Sequence, residues 1–339
     1  MPEPDTERRN AEAAPDSAPQ DQVTLGLVVT CYTMDRFQDI LHLLESIVAQ
    51  TCPVDQVIVV VQQSTELFEA LNQEVARAGL GGTTLLFVEA ATGVSRARNT
   101  GLRELTTEIV GFVDDDSVLA ADWSAATRRF YREYPAAIGV AGAIMPLWDS
   151  PAMEWFPREL YWMLSCTYWS STAPVPVRNG YGANMSFRRE AFSAGRRFSE
   201  SCGVGAWGTG GWRGVGGEEP ELALRVARAT GRRVFYVPDI RAWHRVGAYR
   251  LRCKNLVRRA YWDGRLKAAL ARREAGDSGV LQTEYGLLAH MAGAQVRRLG
   301  RFLTSPMGAL RQGALVTLVV GVVGLGFVEG WLRRDTLVC

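Results

Sequence analysis

Residues 109–116 read IVGFVDDD, an uncharged run of strand-forming residues that ends in three adjacent carboxylates. A run of this kind without alternation fits a strand buried on both faces, as strands of parallel sheets are. The same pattern occurs upstream in Leu25–Thr30, Gln56–Val61 and Thr84–Val88, and Asp35–Gln50 spaces Ile40, Leu43, Leu44 and Ile47 along one face of a helix. Short β-branched runs alternating with amphipathic stretches predict an α/β fold with a mostly parallel sheet flanked by helices, over about residues 23–245. Ligands of such sheets bind beyond the carboxyl ends of the strands. Asp114, Asp115 and Asp116 stand at that edge, where they repel one another unless a cation lies among them. Hard oxygen ligands suit Mg2+ or Mn2+, held jointly with substrate phosphates.

Two further groups carry chemistry. Arg96, Arg98 and Asn99 follow a glycine at the start of a predicted helix, where guanidinium charge and backbone N–H groups suit an anion. Glu218 and Glu219 open the helical stretch EEPELALRVARAT. One of them is placed to accept a hydroxyl proton, although carboxylates also simply favour a helix N-terminus. The preceding segment 205–217 holds seven glycines with Trp207 and Trp212, the composition of a loop that closes over a ligand. Trp148, Trp155, Trp162 and Trp169 recur seven apart, but Pro151 and Pro157 exclude a single helix, leaving one expected from Pro157 to about Tyr168. Their indoles serve either an acceptor or the packing of the sheet.

The ends differ from this centre. Residues 1–22 are rich in proline and charge and carry no apolar stretch of a secretory signal, so a disordered tail is expected. Six scattered cysteines without C-x-x-C spacing suggest neither a zinc site nor a disulfide framework, and a reducing compartment fits them. Between Arg241 and Arg301 there are 14 Lys or Arg against 4 Asp or Glu. Without a nucleic-acid-binding motif, that block fits anionic lipid or a phosphate-bearing substrate, or else a solvated helical face. Leu287, Leu288, Met291, Val296, Leu299 and Phe302 interleave with Arg297, Arg298 and Arg301 as in an interfacial helix. From Gln312 to Val328 no residue is charged. That helix is a little short of the ~20 residues a bilayer takes, so it spans with thinning, re-enters, or is buried. Residues 246–339 are therefore expected to form a basic helical region with a membrane-associated segment at about 307–332.

With these motifs in order, the chain from Val23 to His244 resembles the family 2 glycosyltransferases, which have a GT-A (Rossmann-like) fold. LVVTCYTMDRF is similar to the first strand and nucleotide-contacting loop, GVSRARNTGL to the donor-site helix, and FVDDD to the Asp-any-Asp metal motif. GANMSFRREAF resembles the acceptor-side strand and GGWRGVGGEEPELALR the glycine loop leading to the catalytic carboxylate. PDIRAWH resembles the segment whose histidine completes the metal site. The resemblance implies a metal-dependent, inverting transferase with Asp114, Asp116 and His244 on Mn2+ or Mg2+ and Glu219 as base, Glu218 being the alternative. Thr30, Tyr32, Gln62, Arg96, Arg98, Asn99, Asp114 and Asp115 would hold the donor, a nucleotide sugar for which a UDP-sugar is expected. The acceptor would be a glycan or lipid-linked glycan at the cytoplasmic face of a membrane, as in members that elongate lipid-linked or cell-surface glycans, some of them glucuronosyltransferases acting on dolichyl-phosphate sugars. No nucleic acid is implied. Two positions depart from the pattern: Gln62, Gln63 and Ser64 replace an Asp pair that contacts the nucleobase, and Glu219 stands where Asp is commoner.

Two rival readings remain at this level. A nucleotidyltransferase acting on a sugar phosphate also uses an α/β sheet and a carboxylate-bound metal, but has no need of a hydroxyl base at Glu219. A catalytically silent membrane scaffold would be expected to lose its acidic ligands, whereas Asp114, Asp116, Glu219 and His244 are all present.

Overall fold

The computed structural model describes residues 23–77, 83–88, 93–200, 216–273 and 282–333. The expected tail and most of the glycine loop, including Trp207 and Trp212, lie outside the described residues. The N-terminal half runs β1 (Leu25–Cys31), α1 (Phe37–Val48), β2 (Gln56–Gln62), α2 (Thr65–Arg77), β3 (Thr83–Val88), α3 (Val94–Glu104) and β4 (Ile109–Asp114). Each strand pair here is separated by a helical crossover, and the four strands pair in parallel in the order β3-β2-β1-β4. Every residue of β1 is buried, as its unbroken apolar run requires.

The second half continues with β5 (Ser117–Leu119), α4 (Trp123–Glu133), β6 (Gly139–Trp148), β7 (Val175–Val177), β8 (Met185–Arg188), α5 (Glu218–Thr230) and β9 (Val234–Val246). The sheet extends as β4-β8-β6-β9-β5, with β7 also pairing to β9. β8 runs against both β4 and β6, and β5 and β7 run against β9. The sheet is thus parallel in its first half and mixed beyond β4. Helices α1, α2 and α4 cover one face, with Leu43, Leu67 and Trp123 on Leu27, Val29 and Val59. Helices α3 and α5 cover the other, with Leu102 and Leu222 on Val28, Val60 and Phe112.

Between β6 and β7 the predicted helix is a shorter 3-10 turn, Arg158–Leu164, stopped by Ser165 at φ 58°. Trp148 packs on Phe156 and Tyr161, and Trp155 on Phe156 and under Arg311. Trp162 and Trp169 instead line the main cavity.

Three helices follow the sheet: α6 (Cys253–Arg273), α7 (Gln282–Arg301) and α8 (Pro306–Leu332). They share a hydrophobic cluster with the aromatic segment, Leu256, Met291 and Val316 meeting Phe156 and Leu160. The buried pair Arg298–Glu159 and a bond from Gln312 to the Trp155 carbonyl (2.7 Å) fasten α7 and α8 to that segment. On α7 the apolar residues divide: Met291 turns inward, while Leu288, Val296 and Leu299 stay exposed. Helix α8 has 27 residues, a mean hydropathy of 2.0 in its most apolar window and only 22% of that window buried. At ~1.5 Å per residue it is ~40 Å long, enough to cross a bilayer. It exceeds the uncharged run because Arg311 is taken up by Trp155 and Glu329 by the Tyr261 hydroxyl and Arg333. α8 approaches α6 closely at Gly326, where a Cβ would meet the Tyr261 carbonyl oxygen at 2.1 Å.

One buried side chain joins β8 to its neighbours. Asn184 donates to the Ala143 and Ile240 carbonyls (3.0 and 2.9 Å) and accepts from the Trp123 indole (2.8 Å). Asn184→Ala leaves these three groups buried without partners, each costing ~1–3 kcal/mol. We expect a loss of about 3 kcal/mol or more in thermal unfolding of the full chain; a melting temperature equal to wild type would contradict this role.

Candidate active site

Because β2, β1 and β4 are neighbours, their carboxyl ends meet at one edge, and Thr30 of β1 stands in register with Asp114 of β4. A cavity of about 590 Å³ opens there, lined by Thr30, Tyr32, Gln62, Arg98, Asp114, Asp115, Glu218 and Glu219 among others. Gln63 beside Gln62 holds φ at 57°, a left-handed conformation fixed by its N–H on the Val88 carbonyl (2.9 Å). The chain leaves β2 sharply and carries the Gln pair to the cavity wall.

At the end of β4, ligand atoms of Asp114, Asp116 and His244 all lie within 4.8 Å of one another. The antiparallel pairing of β5 with β9 sets His244 opposite Ser117, next to Asp116. His244 Nε2 is 3.1 Å from Asp116 Oδ1, and among the described residues neither that oxygen nor Asp115 Oδ2, both buried, has a hydrogen-bond partner. Arg36 pairs with Asp115 and lies 3.3 Å from Asp116, which Arg250 also approaches at 3.4 Å. Burial works against ionisation of Asp116, but His244, Arg36 and Arg250 together hold it below the usual carboxylate range. Asp115 shifts the other way, because burial outweighs its pairing with Arg36. Two carboxylates and an imidazole with unsatisfied buried oxygens form a donor set that fits a divalent cation.

Arg98 is the hub of the next layer. Its guanidinium, 3% exposed, reaches Asp114 (3.1 Å), Glu218 (3.3 Å) and Glu219 (3.4 Å). Glu219 Oε1 also accepts the Gly182 N–H at 3.2 Å. Gly182 must lack a side chain, since a Cβ there would lie 1.9 Å from Arg98 Nη2. Glu219 Oε2 has no hydrogen-bond partner among the described residues, and Glu219 lines the cavity. Glu218 differs: burial, and then the charge of Glu219, push its carboxyl up to about 8, and its buried Oε2 has no partner among the described residues.

The expected donor residues do not all meet here. Arg96 pairs with Glu200 (3.0 Å), and Asn99 bonds the Phe198 backbone and Glu200. Both fasten the segment at 198–200 rather than line the cavity. Arg36, Arg250 and Gly182 belong to the site but were not singled out from sequence. Arg36 lies in the MDRF loop after β1, and its acidic partners 79 and 80 positions away give no local signal.

The sequence of residues 27–196, half the chain, matches Glycosyl transferase family 2. The chain belongs to that family and is a glycosyltransferase. It is 27% identical over 315 residues to the glucosyl-dolichyl phosphate glucuronosyltransferase of Haloferax volcanii, covering 92% of this chain and 97% of that protein. It is 34% identical over 117 residues to the succinoglycan biosynthesis protein ExoM of Rhizobium meliloti, covering 33% of this chain and 35% of the other. Among solved structures, a mannosyltransferase, PcManGT from Pyrobaculum calidifontis in complex with GDP-Man and Mn2+, superposes with a TM-score of 0.59 at 18% identity. That alignment covers 95% of this chain and 91% of the other, and the shared fold is GT-A.

The raised carboxyl of Glu218 has a thermodynamic consequence. Between the ordinary value of 4.5 and about 8 the folded chain holds a proton that the unfolded chain has lost. Stability therefore falls as pH rises through that window. Glu218→Gln removes this term, so its melting temperature in EDTA should gain on wild type steadily from pH 5 to pH 8. A constant difference across that range would contradict the assignment.

Proposed function

We propose that this chain is a metal-dependent, inverting glycosyltransferase that moves a sugar from a nucleotide-sugar donor to a lipid-linked glycan at the cytoplasmic face of a membrane. The observation that carries the reading is the Arg98 hub, which ties Asp114 of the candidate metal site to Glu219 across one cavity. Thr30, Tyr32 and Gln62 would hold the nucleotide at the ends of β1 and β2. Uracil is the expected base, to be tested beside guanine because Gln62 and Gln63 replace an acidic pair. Asp114, Asp116 and His244 would hold Mn2+ or Mg2+, which when bound supplies positive charge against the leaving diphosphate.

Glu219 Oε2 then takes the proton of the acceptor hydroxyl while the hydroxyl oxygen attacks the anomeric carbon and the bond to the diphosphate breaks. A single displacement of this kind inverts the anomeric configuration. Arg98 and the Gly182 N–H fix the other oxygen, so the base is aimed before the acceptor arrives. Glu218 serves this role less well because it keeps its proton near neutral pH.

The membrane side of the proposal rests on α8 and on the basic block beside it, which favours the cytoplasmic leaflet. The full-length similarity to a glucuronosyltransferase of a dolichyl-phosphate-linked sugar supports a lipid-linked acceptor and a uronosyl donor.

The test is transfer from UDP- and GDP-sugars to lipid-linked sugar, with donor affinity measured on the same preparation. Glu219→Gln should lower turnover by about 10²–10⁴-fold with donor affinity nearly unchanged. Wild-type turnover in both Glu219→Gln and Glu218→Gln would remove the base from this site and with it the proposed mechanism.

A further inference from the structure

The lining of the cavity is of two kinds: acidic at Asp114 and Asp115, and basic at Arg250, Arg259, Lys267 and Arg178. Three of these cations are matched: Arg178 by Glu284 (2.8 Å), Lys267 by Asp263 (2.5 Å) and Arg250 by Asp116 (3.4 Å). Arg259 is not. Its one hydrogen bond runs to the Ser165 hydroxyl (3.2 Å), and no carboxylate lies within 4.0 Å of it among the described residues. Burial and the neighbouring Arg250 both act against its charge. A half-buried guanidinium without a counter-ion, facing a cavity, is a site for an anion.

The place of Arg259 on α6 says on which side of the reaction that anion sits. Leu266 and Leu270 of α6 and Leu287 of α7 line the same cavity, and α6 packs directly on the apolar helix α8. One cavity thus brings together the base, a cation with no carboxylate within 4.0 Å among the described residues, and an apolar wall on a helix packed against one of membrane length.

We propose that Arg259 binds the phosphate through which a lipid-linked acceptor sugar is joined to its lipid. The sugar occupies the space by Glu219, Trp162 and Trp169, and the first part of the lipid follows Leu266, Leu270 and Leu287. This rests on the transferase reading above and adds to it the anionic link and the residue that holds it.

The experiment uses the full chain in a nonionic detergent, with farnesyl phosphate and uncharged farnesol as probes and UDP or GDP with Mn2+ as the donor-side ligand, all by calorimetry. Wild type should bind farnesyl phosphate at least about tenfold more tightly than farnesol, the scale of one charge-assisted contact. Arg259→Gln should lose about tenfold for farnesyl phosphate and little for farnesol, Arg259→Lys should recover part, and nucleotide affinity should stay within about twofold. Equal binding of the two probes by wild type overturns the site without recourse to a variant, as does unchanged affinity in a folded Arg259→Gln. Displacement of farnesyl phosphate by nucleotide would assign Arg259 to the donor diphosphate. Displacement by an equal concentration of phosphatidylglycerol would make it a general lipid-headgroup contact. Either result overturns the proposal. If farnesyl phosphate binds as expected but wild type binds no nucleotide with Mn2+, the transferase reading fails while the phosphate site stands.

Discussion

The constraint on which the rest depends is the concentration of carboxylates where β4 ends. Asp115, Asp116 and Glu218 are all buried, with Asp114 and Glu219 at their side. So many negative groups withdrawn from water cannot coexist uncompensated. The fold answers with Arg36, Arg98, Arg250 and His244, contributed by four separate parts of the chain. Compensation is incomplete, since Asp115 and Glu218 are pushed toward their protonated forms and oxygens of Asp115, Asp116 and Glu218 have no partner among the described residues. A site poised in this way gains from a divalent cation, and the energy of meeting it can be used to gather a diphosphate.

Much of this was legible in sequence, for reasons that lie in particular residues. β1, β2 and β4 are buried on both faces and so read as unbroken apolar runs, and the carboxylates that end β4 stand next to one in the chain. β6 and β9 were harder. β9 alternates buried and open positions over Val234–Val246 and carries a charged residue at Asp239, Arg241 and Arg245, so its length shows only once it pairs with β6. The mixed second half of the sheet follows from β8, a strand of four residues with no helical crossover to announce its direction. Arg36, Arg250 and Gly182 escaped notice because each acts through a partner distant in sequence. Arg96 and Asn99 illustrate the converse: their spacing suits an anion, yet tertiary structure turns them to the segment at 198–200.

The C-terminal helices add a second principle of organisation. They do not hang from the sheet but share a core with the aromatic segment between β6 and β7, so the apolar helix α8 and the cavity are parts of one packed unit. Trp162 and Trp169, which line the cavity, belong to the same segment that Arg298 of α7 and Gln312 of α8 bind. Motion of α7 or α8 would therefore be felt where the acceptor is proposed to lie.

The central claim is that the acidic edge of β4 is a metal site completed by a nucleotide. Mn2+ binding followed by electron paramagnetic resonance, with and without UDP or GDP, tests it most directly. The account predicts one Mn2+ per chain, tightened by nucleotide and lost in His244→Ala and Asp116→Asn. Binding that ignores both nucleotide and these substitutions, or no binding at all, would contradict it.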